Sequence, residues 1–269
     1  MRGFASLLAA SLALAAAPAA AYRQDEVGPQ RVASLNLCTD ELLLMLGAPD
    51  QIASVTHLAQ DSAETPLWRA ARRYRRNDGS LLSVAALRPD LVVTMGGGAR
   101  DRLRIARRLG MATLDLPFAG SLADVEESVR RLAAALGRPA AGAALLRRMA
   151  ALRASAPPAR IDAIWLGGGG RTVAPHGLEA QWMALAGLRQ RSVRGDRISL
   201  ETLIARPPFV LLRSDYRRGQ YSGAQRWLAH PAARRARAGR TLATDGRRWT
   251  CMGPLLIDEI LRLRRELAG

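Results

Sequence analysis

The sequence contains no lysine, only three histidines and only two cysteines, and these shortages limit the chemistry it can support. Without lysine, the glycine runs at 96–98 and 167–170 cannot form the G-x-x-x-x-G-K-[ST] loop that cradles nucleotide phosphates. The chain also lacks the G-x-S-x-G, H-E-x-x-H and Cys-x-x-Cys patterns of hydrolases, metalloproteases and redox proteins. We therefore expect a protein that is not an enzyme, with no catalytic residue and no cofactor.

The N-terminal segment has the pattern of a secretory signal peptide. Arg2 is followed by a largely apolar run over residues 4–17 and by Ala19-Ala20-Ala21, a small-residue cleavage signature. The run is shorter than the roughly 20 residues of a membrane span, and no cysteine follows it to carry a lipid. We expect residues 1–21 to be removed and a soluble protein to be released into the periplasm.

The charge is strongly one-sided. The chain has 40 basic residues, all of them arginine, against 23 acidic residues, which gives a net charge of +17. A surface this basic can attract nucleic acid, anionic lipid or an anionic small molecule. Because export argues against nucleic acid, we expect a small-molecule partner, and we interpret the arginine runs at 72–76 and 234–237 as solvated faces.

Strand and helix patterns alternate along the chain, which predicts an α/β protein with parallel sheets covered on both faces. Short apolar segments predict strands at 31–35, 51–55, 91–94, 112–116, 161–166, 209–212 and 240–243. Helical patterns occur at 42–46, 82–87, 101–109, 121–136, 139–154, 177–188, 200–205, 225–237 and 254–267.

The alternation is interrupted once and then restarts, which predicts two lobes. A helix opened by Pro139 and ended by Pro157-Pro158 separates the halves. The segments 83–93 and 201–211 share a pattern in which Arg88-Pro89 aligns with Arg206-Pro207. We expect an N-terminal lobe at 28–138, a connecting helix at 139–156 and a C-terminal lobe at 159–269.

Several segments carry a family resemblance through their order and spacing. Residues 31–43 form an opening strand, loop and helix, and residues 87–93 form an L-x-P-D-L-V motif. The other segments are 108–110, which precede a strand, 200–203, and the loop 249–254. In this order they resemble the periplasmic binding proteins for cobalamin and ferric siderophores. The resemblance implies two Rossmann-like lobes joined by one long helix, with the ligand in the cleft between them. It also implies docking onto an ABC permease with its ATPase in the inner membrane, and we expect the carrier to be a monomer.

Candidate ligand contacts follow from the rule that open α/β sheets bind ligands at the carboxyl ends of their strands. Tyr216 and Trp249 could stack on a planar ligand, and Arg171 and Arg213 could pair with an anionic chelate. Trp165 and Trp182 lie within apolar elements and are expected in the core. The full candidate set is Asn36, Leu37, His57, Met95, Gly97 and Phe118 from the first lobe, and Arg171, Arg213, Tyr216 and Trp249 from the second.

The nature of the ligand is left between three alternatives. The favoured ligand is a preformed metal chelate, either a ferric siderophore or a corrinoid, held by aromatic residues and arginines. A carrier of a bare divalent metal would need several nitrogen and oxygen ligands, for which His57, His176 and Asp215 are the available set. An exported enzyme built on the same lobes is the alternative outside the binding proteins.

The two cysteines enter an oxidising compartment, where a disulfide can form. Cys38 next to a helix start could be an activated thiol. Pairing with Cys251 is favoured, because each residue falls in a loop at the expected cleft face of a different lobe. Such a bond would tie the lobes together.

The family resemblance implies that one glutamate per lobe meets arginines of the permease. Glu201 stands at the position in the second lobe. The matching position in the first lobe is Leu82, which departs from the family pattern, and Glu64, Asp61 or Asp78 are the alternatives there.

Overall fold

The computed structural model of the chain describes residues 28–97, 100–217, 219, 222–231 and 239–269. The expected signal peptide at 1–21 and the arginine run at 234–237 lie outside the described residues, as does the end of the helix expected at 225–237. Within the described residues, no helix is both long and apolar enough to cross a membrane.

Nine strands form two fully parallel sheets, one in each half of the described chain. They are β1 (Val32–Ser34), β2 (Ile52–Thr56), β3 (Arg75–Asn77), β4 (Leu91–Met95), β5 (Ala112–Leu116), β6 (Ile161–Leu166), β7 (Leu188–Gln190), β8 (Val210–Ser214) and β9 (Arg240–Thr244). The first sheet has the order β3-β2-β1-β4-β5 and the second β7-β6-β8-β9. The predicted α/β architecture with two parallel sheets is confirmed.

Helices cover both faces of the sheets. They are α1 (Leu37–Leu46), α2 (Trp68–Ala71), α3 (Leu81–Ala85), α4 (Arg100–Arg108), α5 (Leu122–Ala135), α6 (Pro139–Ala154), α7 (Leu178–Leu185), α8 (Leu200–Ala205), α9 (Gly223–Ala229), α10 (Arg248–Cys251) and α11 (Leu256–Ala268). Covered sheets need apolar strands, and β1, β4 and β8 accordingly consist almost entirely of buried residues.

Helix α6 lies between the two sheets in the chain and is packed into the core on one face. Its buried residues Leu145, Met149 and Leu152 belong to an apolar cluster that includes Leu43 of the first half and Trp182 of the second. This one cluster spans both halves of the molecule, so the apolar core does not stop at the connecting helix. The lobe boundaries at 138–139 and 156–159 stay a prediction.

The two halves repeat the same local structure. The equivalence of residues in the structure differs by one position from the sequence alignment that matches the two Arg-Pro pairs. Ser80 caps α3 and Ser199 caps α8, each accepting from the amide three residues later. After those helices, the carbonyl of Asp90 accepts from β5 and that of Phe209 from β9. This equivalence places Leu82 opposite Glu201, as the family resemblance does, and it pairs Pro89 with Pro208 rather than with Pro207.

Helix α1 begins earlier than the sequence pattern predicts. Asn36 caps it through its side chain, which accepts from the amide of Cys38 at 2.9 Å. Asp40 and Glu41, which precede the predicted helix at 42–46, therefore lie inside α1 and are buried. The short elements β3, β7, α2 and α10 were not predicted, because three or four residues give no periodicity to detect.

Candidate ligand-binding site

The carboxyl ends of the strands in both sheets face a cleft where the two halves are linked covalently. Cys38, in the first turn of α1, is bonded to Cys251, at the end of α10. Their Cα atoms are 5.2 Å apart, within the usual range for a disulfide. The bond joins residues 213 positions apart and connects the helix that follows β1 to the helix that follows β9.

A second link between the halves is ionic. The Glu64 carboxylate is buried and accepts from the Tyr216 hydroxyl at 2.6 Å and from Arg217 Nη2 at 2.5 Å. These three residues are called the Glu64 cluster below. Burial is the main cause that raises the pKa of Tyr216, and the hydrogen bond to Glu64 is the second. The phenol therefore stays protonated and acts as a donor. Nearby, Arg247 Nη1 donates to the Ser62 carbonyl at 2.9 Å.

A first cavity of about 280 Å³ lies on the first-lobe side of the disulfide. Its walls come from α1, α5, the ends of β4 and β5, and the segment 250–255. Most of its lining is apolar. The lining residues are Cys38, Glu41, Leu42, Met45, Met95, Phe118, Ala119, Val125, Ser128, Thr250, Cys251, Met252, Gly253, Pro254 and Leu255.

A second cavity of about 580 Å³ lies on the second-lobe side, against β6, β8 and α9. Thr250 and Met252 line both cavities, so the two spaces adjoin at the segment that carries the disulfide. Ligand pockets of drug-sized molecules usually measure about 300–1,000 Å³. Together, the two cavities provide room for a ligand of this size or larger.

Tryptophans form one wall of the second cavity. Trp165 and Trp249 have ring centroids 6.1 Å apart at an angle of 56°, a favourable tilted geometry for an aromatic pair. Trp249 is almost fully buried and its Nε1 donates to Thr244 Oγ1 at 2.7 Å. The Nε1 atom of Trp165 is buried and has no hydrogen-bond partner among the described residues. Trp182 is fully buried, which confirms its interpretation as core, whereas Trp165 packs against the core and also lines the cavity.

Half of the ligand contacts predicted from the sequence line these cavities. Met95 and Phe118 line the first, and Phe118 is 69% exposed. Arg171, Tyr216 and Trp249 line the second.

The other five predicted contacts lie elsewhere. Asn36 caps α1, Leu37 is buried in the core, and His57 is exposed at the end of β2. Gly97 and Arg213 follow or end strands as expected, but neither lines a cavity. A position at the end of a strand is thus not sufficient for lining a cavity, because the direction of each side chain also decides which space it reaches.

The metal alternative has little support among the described residues. His57, His176 and Asp215 are each exposed, and Asp215 Oδ1 accepts from the Gly246 amide at 2.8 Å. The described residues contain no group of three His, Cys, Asp or Glu side chains placed to hold an ion.

Two buried acids on α1 lie at the first cavity, where Glu41 is part of the lining and Asp40 is not. Asp40 accepts from the Thr56 amide at 3.1 Å and from the Thr56 hydroxyl at 2.5 Å. Glu41 accepts from the Thr65 hydroxyl at 2.7 Å. Burial is the main cause that raises the pKa of Asp40 to about 7 and that of Glu41 to about 8. Glu41 is therefore mostly uncharged at neutral pH.

The positions predicted to dock onto the permease carry different residues in the two lobes. Glu201 is exposed in the first turn of α8, where hydrogen bonds from the backbone and from Ser199 lower its pKa. Leu82, at the equivalent position of α3, is 86% exposed. Glu64 cannot replace it, since its carboxylate is buried and bonded to Tyr216 and Arg217.

Among the residues that the sequence did not place at the site are Glu41, Glu64, Ser128 and Trp165. Glu41 and Ser128 sit inside helices, where the strand-end rule gives no signal. Glu64 lies in an irregular segment after β2, and only the folded chain brings it to Tyr216. For Trp165 a signal existed, because it is the last residue but one of β6.

Comparisons with known proteins agree on one architecture. The model of the periplasmic binding protein family matches residues 32–242. No curated protein matches the chain significantly.

Solved structures of periplasmic proteins are similar over nearly their whole length. A heme-binding protein from Pseudomonas aeruginosa has 23% identity and a TM-score of 0.64, over 88% of this chain and 92% of its own. The heme-binding protein RhuT from Roseiflexus sp. RS-1 has 24% identity and a TM-score of 0.64, over 88% and 99%. The vitamin B12-binding protein BtuF of Vibrio cholerae has 18% identity and a TM-score of 0.62, over 90% and 100%. These likenesses show a shared fold.

Proposed function

We propose, from the premise that the chain belongs to the periplasmic binding protein family, that it is the periplasmic substrate-binding component of an ABC importer. It captures a preformed metal chelate of the corrinoid or heme type in the cleft and delivers it to the permease. The pair of adjoining cavities lined by aromatic and methionine side chains is the observation that carries this proposal. The proposal includes export through cleavage of residues 1–21.

The lining favours a large, flat and mostly apolar ligand. Trp165, Trp249 and Tyr216 offer ring faces or edges in the second cavity. Met45, Met95 and Met252 offer flexible thioethers in the first, which adapt to irregular apolar shapes and contact aromatic systems favourably. A macrocycle that already holds its metal needs no cluster of protein ligands, in agreement with the exposed and separate histidines.

A hydrophilic ferric siderophore fits this lining less well. Such a ligand would need several charged or polar partners around it. In the second cavity Arg217 is already engaged by Glu64, which leaves Arg171 as the described arginine of that lining with no ion pair. Therefore we rank the macrocyclic chelates above the siderophores.

Binding can be measured with the mature protein and a panel of probes: dicyanocobinamide, cyanocobalamin, hemin, a ferric hydroxamate, Zn²⁺ and Mn²⁺. We expect a macrocyclic chelate to shift its visible absorption band, to quench tryptophan fluorescence and to raise the melting temperature. Trp165→Phe should lose much of the quenching, whereas Trp68→Phe, which lies outside both cavities, should not. Stabilisation by a bare metal ion alone would contradict the proposal.

Docking onto the permease is proposed to be asymmetric, with Glu201 contributing a charge and Leu82 an apolar contact. In proteoliposomes that contain the permease and its ATPase, Glu201→Gln should reduce stimulation of ATP hydrolysis by the loaded protein. Leu82→Ser should reduce it as well, although neither change should alter ligand affinity. Unchanged stimulation by both variants would contradict the assignment of this surface.

A further inference from the structure

The first cavity differs from the rest of this protein in its charge. Among the described residues that line it there is no arginine, although the chain carries 40 basic residues and a net charge of +17. Its polar side chains are those of Glu41, Ser128 and Thr250. The second cavity, by contrast, is lined by Arg171 and Arg217. An anionic group of a ligand would therefore find its partners in the second cavity and none in the first.

Ser128 carries a hydroxyl that has no hydrogen-bond partner in the part of the chain that the structure describes. The residue is 4% exposed, lies on α5 and lines the first cavity, and its Oγ is buried. A serine inside a helix usually bonds to a carbonyl of the preceding turn or points to water, and Ser128 does neither. In the unliganded structure the Oγ is not exposed to the cavity, but rotation of the side chain about χ1 would turn it there. A hydrogen bond to a polar atom of a bound ligand would then recover the free energy that an unsatisfied buried hydroxyl costs.

Glu41 presents a second polar group to the same cavity. The residue is 3% exposed, and one carboxyl oxygen accepts from Thr65 at 2.7 Å. The other oxygen, Oε2, has no hydrogen bond among the described residues, and it keeps some accessible surface. It is therefore open to the space that Glu41 lines.

We infer that the first cavity binds an uncharged carboxamide substituent of the chelate, through Glu41 and Ser128, and rejects a carboxylate at the same place. This inference rests on the proposed function and specifies its substrate class. A carboxamide presents one acceptor oxygen and two donor hydrogens, whereas a carboxylate only accepts. An un-ionised carboxyl group and a hydroxyl can each donate and accept, so together they match the carboxamide.

The charges around Glu41 support its neutral form. Asp40 lies next to it on α1, Arg248 lies on α10, and Asp245 precedes that helix, so two acids and one arginine act on it. Burial raises its pKa to about 8, more than the Thr65 hydrogen bond and Arg248 lower it. A ligand carboxylate in the cavity would add a further negative charge with no described arginine in the lining to balance it.

Two matched pairs of probes test the inference without depending on one macrocycle. They are cobinamide against cobyrinic acid, and hemin bis-amide against hemin, where each pair shares its ring and metal and differs in carboxamide or carboxylate groups. We expect the wild-type protein to bind the amide member of at least one pair at least tenfold more tightly at pH 7. Affinities would be measured by absorption titration.

Variants separate a role in binding from a role in folding. Ser128→Ala should weaken the amide member about tenfold, the worth of one hydrogen bond, and should leave the carboxylate member unchanged. The same variant should raise the melting temperature of the unliganded protein, because it removes the orphan hydroxyl. Glu41→Gln keeps a donor and an acceptor and should preserve the preference, whereas Glu41→Leu should abolish it. Ser83→Ala, on the exposed helix α3, is the matched control and should change neither affinity.

The outcomes distinguish this inference from the function on which it rests. Equal binding of both members of each pair, or a preference for the carboxylates, would overturn the inference and leave the proposed function standing. Failure of all four probes to bind the wild-type protein would overturn both. A fall in amide affinity of Ser128→Ala together with a rise in its unliganded stability would support the inference.

Discussion

Removing the Cys38–Cys251 bond should lower the stability of this protein more than most single changes can. The bond closes a loop in which the cysteines are 213 positions apart. In the chain-entropy account, cross-linking residues at this separation removes about 5 kcal/mol of conformational entropy from the unfolded chain at 25 °C. The total free energy of unfolding of natural proteins is roughly 5–15 kcal/mol. The double variant Cys38→Ser/Cys251→Ser should therefore be only marginally stable.

Urea denaturation followed by circular dichroism measures this effect. The double variant should unfold at a lower urea concentration than the oxidised wild-type protein. Its unfolded chain is less constrained and exposes more surface, so its dependence on urea should be steeper. A reducing agent should bring the wild-type curve to that of the double variant, and it should leave the double variant unchanged.

The reasoning has two independent ways to fail. The mass of the unreduced native protein, measured after alkylation, should show that neither cysteine is modified, and two alkylated thiols would refute the bond itself. If the bond is present but the double variant unfolds at the same urea concentration as the oxidised protein, the constraint on the unfolded chain has been overestimated. Comparison of each single variant with the double variant detects damage from a lone buried thiol.

Three further predictions concern stability. The pKa values of Asp40 and Glu41 are raised in the folded protein, which therefore holds protons that the unfolded chain releases. The free energy of unfolding should fall by on the order of 6 kcal/mol between pH 5 and pH 9 in urea unfolding, and Glu41→Gln should flatten that profile. Glu64→Ala removes the charged acceptor of the partly exposed Glu64 cluster and should lower the free energy of unfolding in urea by about 1–2 kcal/mol. An unchanged urea midpoint would contradict a stabilising role for this link. Gly142→Ala should lower the melting temperature despite a helix-propensity gain of about 1 kcal/mol, because the new Cβ would lie 2.5 Å from Ala133 Cβ where α6 packs on α5. A higher melting temperature would show that the two helices can move apart.

The fold could be predicted because its signals are local and repeated. Strands such as β5 and β6, and helices such as α6 and α8, have the bounds that periodicity and capping residues indicate. Prolines and glycines mark their ends, and continuous apolar runs of four to six residues that alternate with helical segments are typical of a parallel sheet covered on both faces. Where the pattern is only three residues long, as in β3 and β7, the neighbouring strands determine the structure and the sequence alone does not.

The site was only half predictable for a different reason. The strand-end rule finds backbone positions, and it correctly brings Met95 and Trp249 to the cleft. It says nothing about side-chain direction: Arg213 occupies a strand end and lines neither cavity. It also says nothing about helix interiors, so Ser128 and Glu41 were invisible until the packing of α1 against α5 was known. Polar residues in such positions look like ordinary helix residues in sequence, and only an unpaired atom in the folded protein distinguishes them.

The two links between the lobes bear on how the ligand enters. Helix α6 follows α5, which runs back from the carboxyl end of β5, and α6 leads into the amino end of β6, so the peptide connection lies at the amino ends of the sheets. The disulfide and the Glu64 cluster join the lobes at the carboxyl ends.

A hinge motion about α6 alone would pull these groups apart, and the covalent bond does not allow that. Opening is therefore limited to movements that keep the Cys38 and Cys251 Cα atoms near their 5.2 Å separation, such as a rotation about the bonded pair after the Glu64 cluster breaks. A cleft held in this way is largely formed before a ligand arrives, so little binding energy is lost in ordering it. Under the proposed function, selection among chelates must then come from the shape and polarity of the two cavities.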